Sequence, residues 1–167
     1  MSHEVEYIIG QCKIDETKLP EVMSMIKRAA QIMEEMNTDI DEKAEEELGV
    51  IEKNLRKLTG KENFDIVEVN AYWSYTSLET VAELALMQKP QRLGLSEEVL
   101  GELIEELFAS KLLEREAMLD YWTDFFEIET QIEDVMDYFF NMDDKGEVGY
   151  ASVDEIMERI RQGKMEM

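Results

Sequence analysis

The sequence is poor in the residues on which most enzyme active sites depend. It has one histidine, His3, and one cysteine, Cys12, among 167 residues. Nucleophilic Ser-His-Asp and Cys-His arrangements need a positioned imidazole, so they are excluded. Zinc centres need clustered histidine or cysteine, and di-iron bundles need Glu-x-x-His pairs, so neither is expected. The eight glycines are scattered and form no phosphate-binding loop, so carboxylates are the only plausible catalytic groups left, and none of the forty can be singled out by spacing. We therefore assign no catalytic residue, no metal and no cofactor.

Other absences bear on where the protein works. A single cysteine cannot form a disulfide within the chain, which is typical of a reducing compartment. The first residues, 1–6, lack the basic and apolar regions of a secretory signal. No apolar run approaches the ~18 residues that span a bilayer. We therefore expect a cytoplasmic protein that does not enter the membrane.

Positive charge is also scarce. The chain has 17 Lys and Arg residues against 40 Asp and Glu residues, a formal charge of −23. Nucleic acid and anionic membranes are poor direct partners, because binding phosphates requires basic side chains. A cationic protein or a divalent cation is the natural complement. With 44 % hydrophobic residues, the chain has enough apolar material for a packed core.

The N-terminal half reads as a helical hairpin with strand candidates on either side. One helix begins near Pro20, and a break at residues 37–39 separates it from a second helix that starts near Ile40 and ends at Gly60. Alternating apolar residues predict short strands at Glu4–Ile9 and Phe64–Trp73.

The C-terminal half reads as four helices, one of them short. Ser96 and Ser152 are the predicted N-caps of the first and last, and a second helix begins near Arg115. A short helical piece at Glu133–Phe140 precedes a polar turn at Asn141–Gly149.

The predicted organisation is therefore mainly α. It comprises an α-rich extension at 1–75, a connecting helix and linker at 76–92, stopped by the proline after Lys89, and a four-helix unit at 93–167.

The negative charge is concentrated in the C-terminal half. Residues 93–167 carry a net charge of −15, and residues 114–147 alone carry −10. Aromatic residues are interleaved with these acids. At helical spacing we expect Trp122, Phe126 and one of Phe139 or Phe140 to point inward. A solvated helix face is one interpretation of the acids, and a protein-binding surface is the other, since acids steer association and aromatics anchor it.

Three segments between Leu93 and Lys164 occur in a distinctive order and spacing. They are Leu95–Leu100 with Leu103 and Ile104; Phe126-Glu127-x-x-Thr130; and Asp137–Phe140 followed by a polar turn and Ser152–Ile156. Together they resemble the first helix, the second helix and the third-to-fourth helix passage of the immunity proteins of nuclease colicins and pyocins, which are small four-helix domains. The sequence departs from that family at residues 131–136, which lack the common Pro or Gly. It also departs at the end of the third helix, where the family usually has two aromatics and a Pro and this chain has Phe140, Asn141 and Met142.

The resemblance implies an inhibitor and not an enzyme. Such proteins bind a cognate toxin nuclease beside its active site and exclude nucleic acid by bulk and negative charge. Carried over by position, the resemblance implies three anchors and four residues that select the toxin. The anchors are Asp137, Phe140 and Asn141; the selecting residues are Asp120, Asp124, Glu127 and Asp134.

Other interpretations stay open at this point. An acidic DNA mimic or a general regulatory interaction module needs only the charge, and a carboxylate-metal enzyme needs only the acids. The turn imitates the start of a calcium loop, but Lys145 occupies a ligand position and Ser152 stands where a bidentate Glu is needed. Residues 1–75 could form a structural extension, a second binding surface or a hairpin that makes a homo-oligomer.

Overall fold

The computed structural model describes residues 2–36 and 41–166. Over these residues the protein is mainly helical, as predicted, with eight α-helices, three short 3-10 helices and one two-stranded hairpin. The elements are α1 (His3–Gly10), α2 (Leu19–Glu35), α3 (Glu42–Thr59), α4 (Ile66–Trp73), α5 (Leu78–Leu86), α6 (Glu97–Ala109), α7 (Glu116–Thr130), β1 (Phe140–Met142), β2 (Val148–Tyr150) and α8 (Val153–Met165). The predicted helix break at 37–39 and the residue Ile40 lie outside the described residues.

The chain divides into two compact units. The inserted unit comprises residues 13–88, and the terminal unit comprises residues 1–12 together with 89–167. This division differs from the predicted ranges in two respects. Helix α1 belongs with the C-terminal helices, and α5 belongs to the inserted unit instead of connecting two domains. The change of unit after Gln88 lies beside the predicted boundary at Lys89 and Pro90.

The inserted unit is built around α2. Its buried residues Val22, Ile26 and Ala29 follow the three- and four-residue spacing of a helix face. Helices α3, α4 and α5 pack around it and complete one apolar core. The α3 helix ends at Gly60, whose φ of 72° is the left-handed conformation typical of a residue after a helix.

Both predicted strands are wrong, because each segment is a helix. At the second segment, Asp65 is the N-cap of α4 and accepts hydrogen bonds from the N–H groups of Val67 and Glu68, at 2.9 Å and 3.4 Å. The alternation Val67, Val69, Ala71 does not match burial, since Val67 is 64 % exposed. A capping carboxylate satisfies the free N–H groups of a first helical turn, which favours the helix locally.

The first segment is helical for the same reason. The Ser2 hydroxyl accepts from the N–H of Val5 at 3.3 Å and caps α1. Val5 and Ile8 are buried, whereas Tyr7 is exposed, so burial follows a helix and not an alternation.

The terminal unit contains the segment predicted as four helices. Ser96 and Ser152 are N-caps as predicted, and Ser152 forms a capping box with Glu155. The short third piece is a 3-10 helix at Val135–Phe139. The predicted polar turn is a hairpin, in which β1 and β2 pair antiparallel around residues 143–147.

Candidate acidic interface

Three of the predicted toxin-selecting residues share one face of α7. Asp120, Asp124 and Glu127 are spaced by four and three residues, so their side chains neighbour one another on the helix surface. Asp124 is exposed, and the other two are half-buried. The opposite face buries Trp122 and Phe126 completely. The apolar face therefore fixes which way this acidic stripe points.

Within the stripe, the surroundings of Asp124 disfavour its charged form. Although the Asp124 side chain is exposed, neighbouring protein atoms remove part of its hydration and raise its pKa, and the negative charge of Asp120 raises it further. Lys89 acts in the opposite direction but does not reverse the shift. The helix thus holds the carboxylates of Asp120 and Asp124 close together. Protonating or removing one of them would relieve the repulsion between the two charges.

The two remaining acidic site residues lie beyond the end of α7. Asp134 has a left-handed φ of 56° and precedes the 3-10 helix, and its carbonyl accepts from the N–H of Asp137 at 3.0 Å. Both Asp134 and Asp137 are exposed. Residues with short polar side chains tolerate this left-handed conformation, so Asp134 also suits the turn itself.

Phe140 and Asn141 are adjacent in β1 but are held differently. Phe140 is half-buried and stacks on Tyr150, with ring centroids 5.4 Å apart. The Asn141 amide is engaged within the fold, since its Oδ1 accepts from Arg159 at 2.6 Å and its Nδ2 donates to Glu155 at 3.3 Å. Phe139 is the fully buried member of the aromatic pair, which answers the question that the sequence left open.

One acid of the segment does not belong to the surface. Glu129 is only 6 % exposed, and its two carboxylate oxygens accept from the backbone N–H groups of Leu93 and Leu95, at 2.8 Å and 2.5 Å. It therefore pins the segment before α6 to α7. Sequence reasoning counted Glu129 as one more surface charge, because nothing in its neighbours marks a carboxylate for burial.

A second acidic surface was missed. Helices α6 and α8 form a groove lined by Glu97, Glu98, Glu102, Glu105, Asp154 and Glu158. Arg161 bridges this groove, contacting Glu97 at 3.0 Å and Glu158 at 3.1 Å. These residues are far apart in sequence, so only the packing of α6 on α8 brings them together.

The hairpin was also missed, together with its exposed apolar residues Met142, Val148 and Tyr150. The available signal was the alternation of Phe140 and Met142 on one side of the turn and of Val148 and Tyr150 on the other. The polar residues 143–147 masked it. Asp143 closes this turn, since its Oδ1 accepts from the N–H groups of Lys145 and Glu147, at 2.9 Å and 2.8 Å.

This use of Asp143 argues against the calcium loop. The Asp143 carboxylate serves to close the turn, and Ser152, at the position where a bidentate Glu is needed, is engaged as a helix cap. Over residues 2–36 and 41–166, no three His, Cys, Asp or Glu side chains are grouped so that they could hold a metal ion. In the same ranges, no helix combines the length and apolarity needed to cross a membrane.

No protein-family model, curated protein or solved structure matches this chain. The resemblance noted in residues 93–164 therefore depends on its own three segments.

Proposed function

We propose that this protein is an immunity-like inhibitor that binds a cognate basic toxin and covers the region beside the toxin's active site. The basic charge that such a toxin must carry favours a nuclease. The observation that carries the proposal is the pair Asp120 and Asp124. Like charges four residues apart on a helix are destabilising, and partial burial adds to that effect. Carboxylates placed side by side on the outer face of a helix, with one pKa raised, are typical of a surface that binds a cationic partner.

A basic partner accounts for this arrangement. Lysine or arginine placed over the stripe removes the repulsion between the two carboxylates and forms charge-assisted hydrogen bonds with them. A nuclease fits this description, because its substrate cleft must carry basic residues to bind phosphates. The exposed Asp137 then supplies a further negative charge to the same partner, and the half-buried Phe140 supplies an aromatic contact.

The proposed mechanism is competition by charge and bulk. The net charge of −10 in residues 114–147 steers the inhibitor toward the cleft and speeds association. Once docked, the acidic surface repels incoming nucleic acid. No chemical step is involved, so inhibition is reversible and depends on the salt concentration.

The experiment is capture of the product of an adjacent toxin-like gene by the wild-type protein and by two charge-matched variants. The first variant is Asp120→Asn with Asp124→Asn. The second is Glu42→Gln with Glu46→Gln, an exposed pair with the same spacing on α3. We expect the first to weaken binding by about tenfold or more, mainly through slower association, and the second to bind as the wild type does.

Three results would contradict the proposal. The first is that no basic protein is retained, and the second is that Asp137→Ala with Phe140→Ala leaves the affinity unchanged. The third is that both charge pairs weaken binding equally, which would favour the acidic DNA-mimic or general regulatory module, since that interpretation needs only the overall charge.

A further inference from the structure

The hairpin has a fixed arrangement of paired and unpaired backbone groups. The N–H of Ala151 donates to the carbonyl of Phe139 at 2.8 Å, and the N–H of Asp143 donates to that of Glu147 at 2.9 Å. Opposed residues of an antiparallel pair alternate between hydrogen-bonded and non-hydrogen-bonded. The opposed pairs Phe140–Tyr150 and Met142–Val148 are therefore non-hydrogen-bonded, and their backbone groups point outward, away from the partner strand.

The same register places four apolar side chains on one face of the hairpin, those of Phe140, Met142, Val148 and Tyr150. Met142 is 72 % exposed, Val148 is 62 % exposed and Tyr150 is 44 % exposed. Tyr150 stacks on Phe140 and on Phe108 of α6, with centroids 4.5 Å apart in the second case. The face is thus packed against other aromatic rings at Phe140 and Tyr150 and open to solvent at Met142 and Val148.

The two outer edges of the hairpin differ. Along β1, Arg159 covers the Phe140 end of the edge, since its Nη1 donates to the carbonyl of Tyr138 at 2.7 Å and to that of Phe140 at 3.5 Å. Along β2, within residues 2–36 and 41–166, no hydrogen-bond partner meets the outward-facing groups of Val148 and Tyr150. An uncovered strand edge is a template for an added strand.

Charge decides what kind of strand fits. The turn beside β2 carries Asp143, Asp144 and Glu147 against the single base Lys145. Burial and then the negative charge of Glu114 raise the pKa of Tyr150, so this carboxylate acts electrostatically on the Tyr150 hydroxyl. A second copy of this chain would bring the same acids, and a total charge of −23, against them.

We propose that the outer edge of β2 docks an extended segment of a partner protein in which basic and apolar residues alternate. For the identity of that partner the inference rests on the proposed function. The backbone of Val148 and Tyr150 sets the register of the added strand, and its apolar residues extend the apolar face beside Val148 and Tyr150. Its basic residues meet the acids of the turn, which sequence reasoning treated only as a connecting segment.

The test uses the whole chain, isotope-labelled, and two synthetic seven-residue peptides of equal charge. One peptide alternates lysine with valine, and the other alternates lysine with glycine, which has low strand propensity. We expect the lysine–valine peptide to bind about tenfold more tightly. It should also shift the amide signals of Val148 and Tyr150 and slow their hydrogen exchange.

Two variants separate the edge from the face. Val148→Pro removes one outward N–H at an edge, where proline is tolerated, and Val148→Thr keeps that N–H. We expect the proline variant to lose about tenfold in affinity and the threonine variant to lose clearly less. Met142→Ser with Val148→Ser removes only exposed side chains, so it tests the apolar face without risk to the fold.

Equal binding of the two peptides would overturn the inference, because charge alone would then explain the interaction. Wild-type affinity in both Val148→Pro and the double serine variant would overturn it as well. So would self-association that is lost in Val148→Pro, since the occupant would then be a second copy.

If the toxin is captured equally by wild type and Val148→Pro, the edge is wrong and the proposed function stands. If no toxin is captured but the lysine–valine peptide binds at β2, the edge stands and the function is wrong.

Discussion

Two acidic residues of α7 differ in what their charge does for the fold. One carboxylate forms structural hydrogen bonds, and the other is disfavoured by its surroundings. Glu129 is buried and accepts two backbone hydrogen bonds, whereas Asp124 lies on the opposite side with its pKa raised by burial and by Asp120. Both are acids of the same helix, and sequence composition treats them alike. Their roles follow from which side of Trp122 and Phe126 each one occupies.

We predict that Asp124→Asn stabilises the protein near neutral pH. The folded-state pKa of Asp124 is raised, so its neutral form is favoured on folding. That stabilising contribution is fully present below the unfolded pKa, about 3.9, and is lost as the pH rises through the folded value. Because the group is exposed, the gain of the variant should be about 0.5 kcal/mol or less. Urea unfolding at pH 7 and at pH 3 measures it.

At pH 3 the difference between Asp124→Asn and the wild type should vanish, since both side chains are then uncharged. Asp144→Asn, in the exposed hairpin turn, is the control for loss of one surface charge. A gain that is equal at both pH values would show that repulsion at the stripe is not the cause.

We predict that Glu129→Gln destabilises the protein by about 2 kcal/mol. The amide keeps one acceptor oxygen but turns its NH₂ group toward a backbone N–H, so the charge-assisted hydrogen bond of one backbone donor is lost beside a buried side chain. Denaturant unfolding measures the loss. Glu127 is half-buried on the acidic stripe of the same helix, and Glu127→Gln should change stability by less than about 0.5 kcal/mol. Equal effects of the two substitutions would contradict the positioning role of Glu129.

At the scale of elements, close approach between helices decides where glycine is required. A side chain at Gly163 of α8 would have its Cβ 2.9 Å from Cδ1 of Ile132 and 3.0 Å from the hydroxyl of Tyr138. At Gly101 of α6 the nearest atoms are on Met157 and Val153, at an ordinary 3.8 Å. Gly101 is in the interior of α6 and Gly163 is in the last turn of α8, and the two also differ in the atoms that an added Cβ would meet.

We predict opposite outcomes for the two glycine-to-alanine substitutions. Gly101→Ala should raise stability by about 0.5–1 kcal/mol, because alanine is the better helix former and space is available. Gly163→Ala gains the same helix propensity but must displace Ile132 and Tyr138, so it should be at least about 1 kcal/mol less stable than Gly101→Ala. Thermal and denaturant unfolding of the pair test this. Equal stability would mean that the 3-10 segment yields without loss.

Elements also show how far sequence prediction reaches. Helix starts with serine caps at residues 96 and 152 were predictable, because a cap acts on N–H groups two or three residues away. The same local chemistry was present at Ser2 and Asp65, but the alternation of apolar residues was given more weight there, and both strands were wrong. The choice of Asp120, Asp124 and Glu127 came from the family resemblance, and their spacing of four and three residues places them on one face once α7 is helical.

At the scale of the whole molecule, each of the two units has its own buried core. Within residues 13–88, the core of α2 and α3 is completed by Val81, Ala82, Ala85 and Leu86 of α5. The terminal unit joins α1 to α6, α7 and α8 from the other end of the chain.

We predict that residues 13–88 fold when expressed alone, giving a helical circular-dichroism spectrum and a cooperative thermal transition. A segment of 1–75, the extension expected from sequence, should remain largely unfolded. It lacks α5, so the apolar face of α2 has no cover, and it carries α1 without the helices on which α1 packs. The reverse ranking of the two segments would contradict this division of the chain.

The sequence by itself determined the features that depend on near neighbours. The helical class, the cap residues Ser96 and Ser152, the acidic face of α7 and the excess of negative charge all follow from spacings of a few residues. Only the tertiary structure decided that Phe139 is buried while Phe140 is not, that Glu129 is internal and that α1 joins the C-terminal helices. It also closed residues 140–150 into a hairpin whose outer edge is open. These outcomes depend on partners distant in the chain, and the desolvation and packing energies that select them exist only once those partners meet.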